Sequence, residues 1–218
     1  TNMFTHVDNP FTEHATFNKD KWYETVYYAL VLNDNLVDLE VKSINNILNK
    51  LYNDPEPYDI KKPEIEMWKA FKDVGLKGRR TGVGLTGLGD TIAAMGLKYD
   101  SDDALSLVDD IMKIKLEAEF NASIDLAIIR GPFTGFSMDV EDTSDFVKML
   151  KTEFNDIYNR MAKHGRRNIS ISTVAPTGTI SLLANNITSG IEPLFMPFYT
   201  RRKKINPDDI NARVDFKD

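Results

Sequence analysis

The chain has 218 residues and a formal charge of −6, from 27 Lys+Arg against 33 Asp+Glu. At 42% apolar and 28% charged residues it can build a packed core, which excludes a disordered tail, and its acidic balance lacks the positive field that holds proteins on nucleic-acid phosphates. With no cysteine it cannot by itself form a disulfide framework, a Cys zinc site, a Cys nucleophile or a thiyl radical. The three histidines, His6, His14 and His164, are too scattered for a His-rich metal site. No apolar run reaches a membrane span and no signal peptide is visible, so a cytoplasmic protein with neither a nucleic-acid nor a membrane partner is expected. The start at Thr1 and the polar close at Lys217-Asp218 read as a piece of something longer.

Residues 1 to 16 predict an irregular segment with a turn at Asn9-Pro10, where His6 and His14 are solvated loop residues. From Asn18, an available N-cap, Trp22, Val26, Leu30 and Val37 recur at helical spacing. Within that helix Asn33-Asp34-Asn35 reads as a solvated or hydrogen-bonded face, with ligand contact as the alternative. Three prolines over residues 53–63 predict a surface loop, followed by a short helix from Pro63 to about Phe71. Gly78 to Asp90 predicts a strand running into a helix over Thr91 to Met95. Ser101 caps a clearer helix, patterned by Ala104, Leu107, Ile111, Ile114 and Ala118 and stopped at Arg130-Gly131-Pro132. A further helix spans Phe146 to Met161, and Asn168 to Val174 alternates as a strand. Helices alternating with strands indicate an α/β protein.

Two glycine-rich turns carry candidate chemistry. Gly82-x-Gly84-x-x-Gly87 matches the dinucleotide fingerprint in wording, but no hydrophobic strand precedes it, so close strand packing is the favoured reading and a nicotinamide site the alternative. The second turn, Pro176, Thr177, Gly178, Thr179, Ile180 and Ser181, puts hydroxyls and free backbone N–H groups at a helix start, where phosphate is the natural ligand; an unliganded capping cluster is the alternative. No lysine follows to make a Walker loop. Glu192, ahead of Pro193, reads as a hydrogen-bonded turn carboxylate sooner than a general base. The clusters Arg79-Arg80, Arg166-Arg167 and Arg201-Arg202-Lys203-Lys204 read as solvated faces or partners of acidic neighbours, with phosphate neutralisation the alternative.

Gly78-Arg79-Arg80-Thr81-Gly82-Val83-Gly84-Leu85-Thr86-Gly87-Leu88-Gly89-Asp90, with Arg167-Asn168, Ala175-Pro176-Thr177-Gly178-Thr179-Ile180-Ser181 and Ser189-Gly190-Ile191-Glu192-Pro193, resembles in order and spacing the catalytic chain of ribonucleotide reductase. The wording of the Ala175 to Ser181 turn is most similar to the adenosylcobalamin-dependent class; a separate di-metal radical subunit is the alternative. The resemblance implies the later half of a ten-stranded α/β barrel occupying residues 1–218, with the Pro176 to Ser181 turn on the substrate phosphates. It implies a ribonucleoside di- or triphosphate as substrate, a thioredoxin or glutaredoxin type reductant and, for the full-length chain, a homodimer. The family's finger-loop and reducing cysteines have no counterpart here, so the segment alone is expected to be inactive, and Glu192 is not carried over to the family's catalytic Glu. A stand-alone nucleotide-binding or regulatory module remains the rival reading.

Overall fold

The computed structural model describes residues 1–185, 187–194, 196, 200–204 and 213–217. Two long helices, α1 (Lys19–Asn53) and α4 (Asp102–Arg130), pack along each other and supply much of the core. Their starts follow the expected caps: the Asn18 side chain accepts from the Lys21 N–H and Ser101 Oγ from the Ala104 N–H. Gly131, at φ 81°, stops α4 where an L side chain would be strained. Trp22, Val26 and Leu30 of α1 meet Ile111, Ala118 and Ile124 of α4 in one cluster, and the buried Trp22 indole donates to the Ile111 carbonyl at 3.1 Å.

A narrow parallel ladder is tied to this helix pair. Asn2 bridges Thr86, and Val83 bridges Ser172, both in parallel. Met3 N–H donates to Thr86 O at 2.9 Å, and Val83 N–H to Ile171 O at 2.8 Å, so residues 81–86 lie between residues 1–3 and 169–173. Helices separate each segment from the next in sequence, the connection that parallel pairing requires. The α/β reading therefore holds at the level of parallel pairing with helical crossovers. The strands expected over Gly78 to Asp90 and Asn168 to Val174 are, however, only isolated bridges at Val83, Thr86 and Ser172, and among the described residues the structure is mostly helical and the ladder closes no barrel. Among the described residues each outer segment is paired on one side, which leaves little ladder to regularise it.

The remaining elements are small. β1 (Val7–Asp8) pairs antiparallel with β2 (Thr16–Phe17). Beyond α1 come α2 (Tyr58–Gly78), α3 (Leu88–Ala94), α5 (Met138–Glu141), α6 (Asp145–Glu153), α7 (Asn155–His164) and α8 (Gly178–Leu183). An antiparallel pair, β3 (Thr200–Lys204) with β4 (Arg213–Lys217), carries the Arg201-Arg202-Lys203-Lys204 run on β3.

Three expectations are corrected. The 53–63 loop shrinks to Asp54–Pro57, because α2 begins at Tyr58 and contains Pro63; packing of Ile65 and Trp68 against Ile44 and Leu48 outweighs the lost N–H. The helix expected over Phe146 to Met161 breaks at Phe154, whose φ of −131° is not helical, and α6 and α7 pack on each other instead. His6 is not solvated: it is 3% exposed, edge-on to Trp22, with its ring nitrogens 2.9 Å from Asn2 O and Thr25 Oγ1. His14 is exposed as expected.

The strongest constraint lies at Asp34. This α1 carboxylate is fully buried and accepts from Arg79 Nε at 2.8 Å, Asn168 Nδ2 at 2.9 Å and Arg130 Nη1 at 3.1 Å, with Arg167 Nε at 3.5 Å. Asp34 is thus hydrogen-bonded in the interior, as one reading of the Asn33-Asp34-Asn35 run expected, with its oxygens taken by protein and Asn33 and Asn35 half-buried beside it. Buried Arg79 and half-buried Arg166 and Arg167 are partners of acidic neighbours, one reading of their clusters, while Arg80 is exposed. Arg79 closes α2 at φ 44°, a conformation costly for a non-glycine residue and held by bonds to Asp34 and Asp38. Burial alone pushes the Asp34 carboxyl up, but hydrogen bonds from Arg79 and Asn168 and the arginine charges bring it below the usual carboxylate value. Its contribution is therefore complete above the ordinary carboxylate range and is lost as the pH falls through and below it. Asp34→Ala strands buried guanidinium charge and should lower the unfolding free energy by about 3–5 kcal/mol in urea titrations; a loss under about 1 kcal/mol, the range of exposed pairs, would contradict this role.

Candidate functional site

The three parallel segments all end on the same side, at Met3, Thr86 and Val174, and open α/β sheets bind ligands outside their strands' carboxyl ends. The turn after the third segment, Ala175 to Thr177, leads into α8 at that end. Thr177 sits at φ 52° and does not cap α8 with its side chain. Its hydroxyl donates to Thr86 Oγ1 at 2.9 Å and accepts the Gly190 N–H at 2.7 Å, while Thr86 Oγ1 donates to Thr188 O at 3.0 Å. Ser181, 2% exposed, donates to Gly178 O at 2.9 Å and lies 3.1 Å from Ser189 Oγ.

The six expected residues therefore divide. Thr177 and Ser181 spend their hydroxyls inside the protein and shape the turn. Pro176, Gly178, Thr179 and Ile180 are exposed. The N–H groups of Gly178, Thr179 and Ile180 and the Thr179 hydroxyl have no partner among the described residues. A Cβ built on Gly178 would meet nothing within 4 Å, so the space over these amides is open. Uncapped first-turn amides carry partial positive charge and bind oxyanions.

Sequence reasoning missed the collar that holds the turn: Thr86, Asp90, Thr188, Ser189 and Gly190. Asp90 Oδ2 accepts the Thr188 N–H at 2.8 Å, and Thr188 Oγ1 accepts the Asp90 N–H at 3.2 Å. Gly190, at φ 49°, could carry no side chain, since its Cβ would stand 2.7 Å from Ala175 O. The wording Ser189-Gly190 signalled a turn but not its contacts, which span 13 to 102 residues.

That collar also decides the fingerprint glycines. Gly87 N–H donates to Thr188 O and Leu88 N–H to Gly190 O, so the start of α3 is covered by protein and offers a pyrophosphate nothing. Gly82 faces Thr173, where a Cβ would come within 3.1 Å, the close packing expected of it. Glu192 is exposed and its carboxylate has no partner among the described residues; only its backbone N–H is bonded, to Ser189 O at 2.8 Å. It is neither the hydrogen-bonded turn carboxylate expected nor a base with a partner.

A second polar cluster went unread. Lys115 and Glu119, one turn apart on α4, are 0% and 2% exposed and form an ion pair at 2.5 Å, with Lys115 Nζ also 2.6 Å from Ser172 Oγ. Helical periodicity had marked their neighbours as core, and a buried Lys-Glu pair has no local sequence signal. Both line a groove of about 780 Å³ between α4, α5, α6 and residues 169–172. Burial pushes the Glu119 carboxyl up to about 7, outweighing the attraction of Lys115. Among the described residues no group of three or more His, Cys, Asp or Glu side chains could hold a metal, and no helix is long and apolar enough to cross a membrane.

Residues 1–213 match the family model of the ribonucleotide reductase barrel domain. The chain belongs to the ribonucleotide reductase barrel-domain family. It is 38% identical over 135 residues to a vitamin B12-dependent ribonucleoside-diphosphate reductase of Mycobacterium tuberculosis, covering 60% of this chain and 16% of that one. It is 24% identical over 172 residues to the ribonucleoside-diphosphate reductase subunit alpha of Treponema pallidum, covering 78% and 19%. The large chain of the Encephalitozoon cuniculi reductase is 30% identical over 135 residues, covering 58% and 17%. The matched part thus spans under a fifth of each of these reductase chains.

The raised Glu119 makes the folded barrel segment hold a proton that the unfolded chain releases, so its contribution to stability is largest in acid and falls as pH rises from about 4.5 to about 7. Glu119→Gln should flatten that part of the melting-temperature profile. An unaltered slope across the same window would show that Glu119 ionises at its ordinary value.

Proposed function

We propose that this chain is part of the catalytic chain of a ribonucleotide reductase, converting ribonucleotides to 2′-deoxyribonucleotides, and that its Pro176 to Ser181 turn receives the phosphates of a ribonucleoside di- or triphosphate. The observation that carries this is the set of three uncapped amides at Gly178, Thr179 and Ile180, open at the carboxyl end of the ladder in a chain of this family. Amide dipoles and the Thr179 hydroxyl would take phosphate oxygens, and the buried hydroxyls of Thr177 and Ser181 would hold those donors in place. With no thiol, the chain's own residues bind and orient the nucleotide. The radical-carrying and reducing cysteines would belong to the rest of the catalytic chain, and a thioredoxin or glutaredoxin type protein would return electrons to them.

The finer architecture belongs to the same reading: residues 1–218 as the later half of a ten-stranded barrel, working as a homodimer in the cytoplasm. The support for the barrel is the edge of residues 170–173, which has no strand partner among the described residues, lies beside the α4–α6 groove and suits one more parallel strand.

Names of relatives point to adenosylcobalamin as the cofactor. The residues here fit a wall beside such a group and not its ligation, since Val174, Ile180, Leu182, Leu183, Ile191 and Leu194 expose apolar side chains around the turn. When bound, adenosylcobalamin supplies the starting radical.

Two measurements test this reading in the complete reductase. Thr179→Val removes a hydrogen bond to a charged group, about 1.5–3 kcal/mol, and should raise the nucleotide KM by roughly 10-fold or more; an unchanged KM removes the phosphate assignment. Omitting adenosylcobalamin should abolish turnover, whereas full activity with only a di-metal radical subunit present would assign the chain to the other class. Nucleotide binding by the 218-residue chain as the whole native product would instead make it the stand-alone module.

A further inference from the structure

The Lys115–Glu119 pair has no part in the phosphate contacts, and packing alone does not account for it. Taking both charges out of water costs more than an apolar pair of the same size would, so the fold gains little from ions at these positions. What the pair reaches is informative. Lys115 Nζ has one donor on Glu119 Oε1 and another on Ser172 Oγ at 2.6 Å. Ser172 is the bridged residue of its segment, and Thr173 N–H to Val83 O, at 3.3 Å, is the last ladder bond from that segment. From Val174 to Pro176 no backbone N–H is bonded among the described residues. The contact with Lys115 is therefore the last side-chain hydrogen bond among the described residues before the chain enters the turn, and Glu119 keeps the lysine aimed at it.

We propose that Lys115 is a positioning residue for the phosphate turn: held by Glu119, it fixes Ser172 and so sets where the Gly178, Thr179 and Ile180 amides stand. The inference rests on the phosphate reading of that turn. Of the other charged groups lining the groove, all but Glu153 are paired among the described residues. Arg166 Nη2 is bonded to both Glu141 oxygens at 2.8 and 3.0 Å across the groove, and Lys113 is paired with Asp109 at 2.7 Å.

The test uses the complete reductase, with the nucleotide KM, kcat and inhibition by inorganic tripolyphosphate, an anion lacking base and ribose. Ser172→Ala and Lys115→Met should each raise KM several-fold, weaken tripolyphosphate inhibition in parallel and leave kcat within about twofold. The double variant should be no worse than the poorer single one, since both act through one contact. Ser172→Ala keeps the test open if Lys115→Met fails to fold, because it removes one hydroxyl and leaves the ion pair intact. Unchanged KM in Ser172→Ala, or a raised KM with unaltered tripolyphosphate inhibition, overturns the positioning role. If Thr179→Val raises KM while Ser172→Ala does not, only this inference falls; if Thr179→Val has no effect, the phosphate reading falls and takes the inference with it.

Discussion

A buried carboxylate has to be answered by donors, and Asp34 is answered from three places at once. Arg79 comes from the end of α2, Arg130 from the end of α4, and Arg167 with Asn168 from the start of the third parallel segment. Because α1 is a rigid rod of 35 residues, fixing these partners to one point on it fixes where the second and third segments begin. Asn168 Nδ2 also donates to Arg79 O at 3.1 Å, so the two segment starts are joined to each other as well as to α1. The ladder bonds that follow are few, and their register is inherited from this cluster.

At the far end of the ladder the problem is reversed. There the protein has many small polar groups and one carboxylate, Asp90, among them, and it orders them by a relay: Gly190 N–H to Thr177, Thr177 to Thr86, Thr86 to Thr188 O. Each hydroxyl is both donor and acceptor, so none remains for a ligand, and the turn has just one arrangement that satisfies all three. The consequence is a division of labour inside one short motif. Side chains look inward to set the shape, and backbone amides with Thr179 look outward. The shape of the turn's outward face is thus set by side chains that point away from it.

Local signals in the sequence predicted what local physics decides. Asn18 and Ser101 cap their helices and Gly131 ends one, because capping involves neighbours within a few residues. The turn at Pro176 to Ser181 and the short helix after it were legible for the same reason. The family resemblance was legible too, since it rests on wording spread over the chain. The partners of Asp34 were not legible: they lie 45, 96 and 134 residues away, and a polar triplet on a helix looks alike whether solvent or arginine covers it. His6 was misread for that reason, its burial being supplied by Trp22 and Phe17 from later elements. Phe154 fitted the helical period, but apolar spacing does not reveal a break whose cause is two helices folding back on one another.

The two buried ionic devices differ in how many donors each carboxylate receives, and this gives them opposite characters. Asp34 is over-supplied, with three guanidinium groups and an amide near a single charge, so it stays ionised despite burial. Glu119 has one lysine and a distant hydroxyl against heavy desolvation, and its carboxyl is pushed up to about 7. The cluster that orders the segment starts is therefore insensitive to pH near neutrality. The anchor nearest the turn is poised to change protonation there. Lys115 divides its donors between the Glu119 carboxyl and Ser172 Oγ, so Glu119 is left with a single, shared cation. Burial works against both carboxylates alike, and the number of donors around each decides how firmly it holds its charge.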